Sequence, residues 1–206
     1  MQKIQLFYYC YKCFCGATVG KFGHHGLACK HSAGRHLRHN LLNDTILRAL
    51  QSANIAAVRE PPGLARTDAK RPDGATLVPW SRGRCLLWDA TCPDTLAPSY
   101  LGRSAAEAGA AAALAETRKS AKYAALSIAH EFVPVAIEAV GTWGSAAITF
   151  VNELGRRISA VTGDQRATSF LKYRYSAGML RPYWERLDNV PPKALNCDNF
   201  SDELLQ

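Results

Sequence analysis

The spacing of apolar residues predicts a series of helices and strands between residues 36 and 161. Residues 36–53 carry leucine, isoleucine and alanine three or four positions apart, which is typical of an amphipathic helix. Residues 85–88 are an almost continuous apolar run that leads into Asp89, as expected of a strand covered on both faces. The predicted elements are helix 36–53, strands 55–60, 74–80 and 85–89, helix 103–127, strand 132–140 and helix 145–161. This order predicts an α/β fold in which helices flank a mixed sheet.

The composition indicates one globular domain with a smaller segment on each side. The chain has 206 residues, of which 48% are hydrophobic and 20% charged, so it can bury a core. Residues 10–34 are rich in Cys, Gly and His and predict a small metal-organised knuckle, whereas residues 35–172 contain the predicted helices and strands. Residues 173–206 contain several prolines and no clear period, which predicts a loosely attached tail.

Basic residues are concentrated near the start of the chain. The formal net charge is +8, and residues 1–48 hold seven Lys or Arg residues against one acid, Asp44. This basic head favours a polyanionic partner such as DNA, although a solvated basic surface explains the charge equally well. The first residues do not resemble a signal peptide, and no segment reaches the ~18 apolar residues needed to span a membrane. We therefore expect a protein that is neither secreted nor membrane-bound, in which clustered cysteines bind metal rather than form disulfides.

Four residues in the head have the spacing of a structural zinc site. Cys13 and Cys15 are followed after nine residues by His25, and after three more by Cys29. Zn²⁺ prefers thiolate and imidazole ligands, and four protein ligands leave no open position for catalysis. His24 and Cys10 are possible substitutes among the ligands. The plainer alternative is a set of reduced cysteines near a surface histidine.

Two aspartates fall at the ends of consecutive predicted strands. Asp73 begins the strand 74–80, and Asp89 ends the strand 85–89. Because only a short turn separates these strands, an antiparallel hairpin would bring both carboxylates to one edge of the sheet. Paired carboxylates there would suit Mg²⁺. The residues alone favour the plainer alternative, in which loop amides cap each strand-end acid.

A basic helix face follows the two aspartates. Lys119 and Lys122 are three positions apart in the predicted helix 103–127, with Tyr123 beside them. A lysine there could neutralise a phosphate or orient an attacking water. The default alternative is a basic face in water.

A second basic cluster lies at the start of the first predicted helix. Arg35, Arg38 and His39 fall within its first turns. Arginine binds phosphate through a two-pronged guanidinium, and a helix N-terminus adds backbone donors. By itself the cluster is equally compatible with simple solvation.

In this order, the residues resemble the C-terminal region of non-LTR retrotransposon proteins that carry a restriction-enzyme-like endonuclease. In that family a Cys/His knuckle precedes Arg-His, then Lys/Arg-Pro-Asp, then an apolar strand ending in Asp, then Lys and Tyr on a helix. The matching residues are Cys13, Cys15, His25 and Cys29; Arg38 and His39; Arg71, Pro72 and Asp73; Leu86 to Asp89; and Lys119, Lys122 and Tyr123. The resemblance covers about residues 13 to 170.

The resemblance implies the PD-(D/E)-x-K nuclease fold and metal-dependent nicking of target DNA for insertion of the element. Asp73, Asp89 and the carbonyl of Ala90 would hold Mg²⁺ or Mn²⁺. The usual lysine, two residues after the second acid, is replaced by Thr91, so Lys122 or Lys119 would serve instead. The expected DNA contacts are Arg35, Arg38, His39, Arg71 and Tyr123. The element's RNA would be a second partner, and the location nuclear or cytoplasmic.

Two departures from the family bear on activity. The reverse transcriptase expected upstream is missing, and the tail after Lys172 does not match, so we expect a truncated fragment. The alternative to an active endonuclease is an inactive remnant that still binds nucleic acid through the knuckle and the basic head.

Overall fold

The computed structural model describes residues 11–12, 15–19, 25, 29, 33–64 and 71–187 of the chain. The strands are β1 (Tyr11–Lys12), β2 (Thr18–Val19), β3 (Ala57–Arg59), β4 (Gly74–Ser81), β5 (Arg84–Thr91) and β6 (Glu131–Ala136). The helices are α1 (Ala33–Ser52), α2 (Pro98–Ala106), α3 (Ala110–Lys122), α4 (Ser145–Thr162) and α5 (Ala167–Leu187), with a 3-10 turn at Leu126–Ile128. The predicted order of helices and strands through α4 is confirmed, and so is a mixed sheet flanked by helices.

The main sheet has the strand order β3-β4-β5-β6. The pairs β3/β4 and β4/β5 are antiparallel, and β5/β6 is parallel. The predicted hairpin is formed by β4 and β5, whose two-residue turn holds Arg82 and Gly83 at φ values of 49° and 74°. Two successive positive φ values match the right-handed twist of the strands, which makes such a tight turn favourable.

The core explains why the predicted strand 85–89 is apolar on both sides. Leu86, Trp88 and Ala90 lie in the large cluster packed beneath α1, α4 and α5. On the opposite face, α3 packs its alanines on Ala136 of β6. Because successive strand side chains alternate between faces, Asp89 points to the α3 side of the sheet.

The predicted helix 103–127 is wrong as a single helix, because the structure divides it. Helix α2 ends at Ala106 and α3 begins at Ala110, with Gly109 between them at φ 88°. This left-handed conformation interrupts the helical hydrogen-bond ladder and is accessible to glycine at little cost. The break lets α3 alone lie on the sheet. The predicted strand 132–140 is also too long, since β6 ends at Ala136.

The expectation of a loose tail from residue 173 is wrong over the first part of that tail. Helix α5 runs from Ala167 to Leu187, so the expected boundary falls inside a helix. Tyr175 is 1% exposed, and its ring packs edge-on against Trp143 at 5.4 Å between centroids. Residues 188–206 lie outside the described residues. Within the described part of the chain, no helix has the length and apolarity required to cross a membrane.

Candidate functional site

The hairpin brings Asp73 and Asp89 to one edge of the sheet. The backbone N–H of Asp73 donates to the carbonyl of Trp88 at 3.0 Å, and Gly74 pairs with Trp88 in the β4/β5 register. One carboxylate oxygen of Asp73, Oδ2, accepts the N–H of Ala90 at 2.7 Å. Asp73 therefore bridges to both neighbours of Asp89 in the chain. The two residues therefore lie at the same end of the hairpin, as the predicted antiparallel pairing requires.

The backbone of Ala90 faces Asp73. In a strand, the N–H and C=O of one residue point toward the same neighbouring strand. Since the N–H of Ala90 reaches Asp73, its carbonyl faces the same side of β5. Ala90 can therefore add a carbonyl oxygen to the carboxylates at this edge.

Asp89 is a buried carboxylate held by two lysines. Its side chain is 3% exposed, and Lys119 Nζ contacts its Oδ1 directly. Lys122 Nζ lies 3.7 Å from its Oδ2. A buried charge is costly unless it is paired, and both lysines predicted from the sequence supply that pairing.

Tyr123 connects the end of α3 to the segment that precedes Asp73. Lys122 Nζ donates to the Tyr123 hydroxyl at 2.6 Å, and that hydroxyl donates to the carbonyl of Arg71 at 2.8 Å. Tyr123 is 0% exposed, so its expected role as a DNA contact is wrong. It instead positions Lys122 and the backbone at Arg71.

His39 lies in the site rather than on an outer DNA-binding surface. Its Nε2 is 3.0 Å from Asp73 Oδ2. Asn43, one turn further along α1, places its Nδ2 3.4 Å from His39 Nε2, while its Oδ1 accepts the indole N–H of Trp88 at 2.9 Å. Sequence reasoning missed Asn43, although its position four residues after His39 puts it on the same helix face.

The contact between His39 and Asp73 shifts the pKa values of both groups. The hydrogen bond to Asp73 raises the pKa of His39 above its ordinary value, while burial of the ring opposes the change. Burial alone would raise the pKa of Asp73. The hydrogen bond and charge of His39, together with the Ala90 N–H, outweigh burial and lower that pKa. Both shifts favour a charged pair.

A cleft of about 290 Å³ lies over the two aspartates and the two lysines, and its lining comprises Glu60, Arg71, Pro72, Asp73, Asp89, Lys119 and Lys122. Glu60 was not predicted. It has φ 49°, its N–H donates to the carbonyl of Asp73 at 2.8 Å, and its carboxylate is paired with Arg71. A left-handed non-glycine residue stores strain, and such residues are often found at functional sites.

The remaining predicted DNA contacts are Arg71, Arg38 and Arg35, and the first two differ in their exposure to solvent. Arg71 keeps 46% of its side chain exposed at the rim of the cleft. Arg38 is 2% exposed, which corrects its expected role as a surface contact for phosphate, because the side chain packs inside the fold. The side chain of Arg35 lies outside the described residues.

A separate Cys/His group lies near the β1/β2 hairpin. Ligand atoms of Cys15, His25 and Cys29 all fall within 4.8 Å of one another, and Cys15 Sγ is 3.1 Å from His25 Nε2. The N–H of Cys29 donates to the carbonyl of His25 at 2.9 Å, which holds the two residues close together. These three predicted ligands therefore form a group able to hold a metal ion. The fourth, Cys13, lies outside the described residues.

Comparison with known proteins does not place the chain in a family. No protein-family model matches it, and no curated protein is significantly similar to it.

Proposed function

We propose that this protein is a divalent-metal-dependent DNA endonuclease with a restriction-endonuclease-like fold. The observation that carries the proposal is the convergence of Asp73, Asp89, Lys119 and Lys122 on one cleft at the edge of the sheet. Two carboxylates and a cation that can reach the same phosphate are the groups needed for hydrolysis of a phosphodiester.

The donor set fits a hard divalent cation. Asp73, Asp89 and the Ala90 carbonyl offer oxygen ligands, which Mg²⁺ and Mn²⁺ accept. The 3% exposure of Asp89 supports the same fit, because a carboxylate so deeply buried needs a positive charge beside it. Lys119 fills that requirement in the present structure.

Each side chain has a separate task in the proposed reaction. A bound metal ion would supply a Lewis acid that polarises the phosphoryl oxygen and lowers the pKa of water. Asp73 is fixed for ligation by His39 and by the N–H of Ala90. Lys119 or Lys122 would stabilise the extra charge on the pentacovalent phosphate. Arg71, half exposed at the rim, would bind a neighbouring phosphate of the DNA.

The Cys/His group would bind structural Zn²⁺. Cys15, His25 and Cys29 offer two sulfurs and one imidazole nitrogen at separations compatible with a tetrahedral ion, and Cys13 would be the fourth ligand. Because all four positions would be filled by protein, this ion would hold the basic head together rather than catalyse. The head would then add electrostatic affinity for DNA or for the element's RNA.

The order of motifs supports an origin in a non-LTR retrotransposon, where the cleavage would nick target DNA for insertion. Such an endonuclease would act where its target DNA lies. The inactive nucleic-acid-binding remnant remains the competing proposal, and it makes a different prediction for cleavage.

Nicking of supercoiled plasmid with Mg²⁺ or Mn²⁺ tests the proposal. The parent should convert supercoiled to open-circular DNA, and Asp89→Asn should lose this activity while it still binds DNA. Asp164→Asn is the matched control, because Asp164 is an exposed acid in the α4–α5 loop. Asp73→Asn provides a second site variant if Asp89→Asn folds poorly. A parent that binds DNA but never nicks it with either metal would overturn the endonuclease and favour the binding remnant.

A further inference from the structure

We propose that His39 is a third protein ligand of the metal site and makes that site prefer Mn²⁺ to Mg²⁺. This inference rests on the proposed function and deepens it, because it assigns a nitrogen donor to a site otherwise built from oxygen. The family resemblance includes His39 only as part of an Arg-His motif and as an expected DNA contact, not as a metal ligand.

The separation of His39 and Asp73 fits two neighbouring ligands of one ion. His39 Nε2 and Asp73 Oδ2 are 3.0 Å apart. In an octahedral site with bonds of ~2.1–2.2 Å, adjacent ligand atoms are roughly 3.0–3.1 Å apart. A metal ion could therefore contact both atoms in place of the hydrogen bond once the imidazole ring turns, because a hydrogen-bonded Nε2 points at the oxygen and not at an ion beside it.

The imidazole is held in place by the fold. His39 lies on α1, whose residues Leu42 and Ile46 are buried in the core. Asn43 contacts the ring, and the indole N–H of Trp88 donates to the amide oxygen of Asn43 at 2.9 Å. A ligand fixed by surrounding side chains loses little conformational freedom when it binds a metal.

Asp89 would complete the site by exchanging one cation for another. Among the described residues, only the Cys/His group has three ligand atoms within 4.8 Å of one another, so Asp89 does not join the His39–Asp73 pair in this structure and would have to move toward it. Its Oδ1 is in contact with the Lys119 ammonium instead. Exchange of that ammonium for the metal ion would give the metal its third protein ligand. It would also release Lys119 toward the phosphate of a bound DNA.

The identity of the donors sets the metal preference. Mg²⁺ favours oxygen ligands and gains little from imidazole, whereas Mn²⁺ accepts both oxygen and nitrogen. A site with two carboxylates and one imidazole therefore gains more from His39 when Mn²⁺ is bound. Removal of the imidazole should narrow the difference in affinity between the two ions.

Mn²⁺ binding to the full chain, followed by electron paramagnetic resonance, tests the assignment without relying on cleavage. The parent should show coupling of bound Mn²⁺ to a ¹⁴N nucleus, and His39→Ala should lose that coupling. Mn²⁺ affinity should fall by at least ~10-fold in His39→Ala, while Mg²⁺ affinity changes by less than ~3-fold. His36→Ala is the matched control, since His36 is exposed on the same helix. His39→Gln preserves side-chain size if the alanine variant folds poorly.

The Asp89→Asn variant distinguishes failure of the His39 assignment from failure of the proposed metal site. If Asp89→Asn abolishes Mn²⁺ binding and the His39 variants keep both affinity and ¹⁴N coupling, His39 is not a ligand and the endonuclease proposal stands. If the parent binds no Mn²⁺ that depends on Asp89, both the metal site and the inference fail. Loss of coupling in His39→Ala but not in His36→Ala supports the assignment.

Discussion

Substitution of Gly74 should damage both stability and the candidate site, because the Trp88 ring occupies the space that a side chain would need. An ideal Cβ built on Gly74 would lie 2.0 Å from Trp88 Cζ2 and 2.3 Å from Cη2. Ordinary carbon contacts are ~3.5–4.0 Å, so Gly74→Ala requires the ring to retreat by about 1.5 Å. Trp88 is 0% exposed, which leaves the ring no solvent-filled space to enter.

The expected loss of stability in Gly74→Ala follows from the cost of overpacking a filled core. Forced displacement in such a core typically costs ~1–3 kcal/mol, and a shift of this size around a buried tryptophan should lie near the upper end, about 2–3 kcal/mol. For a chain of this length, that corresponds to a decrease in Tm of roughly 4–12 °C. Displacement of Trp88 should also break its bond to Asn43 and loosen His39, so cleavage should fall more than stability alone explains.

Thermal unfolding and plasmid nicking, measured on the same preparations below the lowest Tm, check this prediction. Gly102→Ala in α2 is the matched control, since its Cβ would meet no atom within 4 Å. A helical glycine replaced by alanine should be neutral or stabilising by ~0.5–1 kcal/mol. A Gly74→Ala protein as stable as the parent would show that the Trp88 ring does not fill the space beside Gly74.

Three further predictions concern charge, metal and backbone strain. His39→Gln should lower the free energy of unfolding at pH 5–6 but change it little at alkaline pH. The reason is that the raised pKa of His39 stabilises the fold fully below the ordinary pKa of ~6.5, and this stabilisation is lost as the pH rises through the folded-state pKa. Urea unfolding across this pH range checks the sign, and a loss of stability that grows with pH would contradict it. Chelation of zinc should expose the Cys15/His25/Cys29 segment to proteolysis, and Cys29→Ser should show the same cleavage pattern without a chelator; elemental analysis that finds no zinc in the parent would count against the site. Glu60→Gly should relieve about 1 kcal/mol of backbone strain at φ 49° but lose the ion pair with Arg71. Glu60→Gln is the control, because it loses the charge and keeps the strained backbone. A glycine variant less stable than the glutamine variant would show that Glu60 is not strained.

Local sequence determined the features that depend on period and turn geometry. Residues 85–88 carry apolar side chains at consecutive positions, and the Arg82-Gly83 turn leaves no length for any connection but a hairpin. Once the hairpin is fixed, an acid that begins one strand must lie beside an acid that ends the next. The proximity of Asp73 to the strand end at Asp89 was therefore predictable from residues a short distance apart in the chain.

Tertiary structure decided the features that depend on which surfaces meet. The sequence placed Arg38 and His39 side by side on a basic helix, but packing of α1 on the sheet buried Arg38 and brought His39 to within 3.0 Å of Asp73. Gly109, in a left-handed conformation, divides the predicted helix, and Lys119 of the second part contacts Asp89. These contacts join residues 30 or more positions apart. No local period encodes such contacts, because their energies arise only when separate elements pack together.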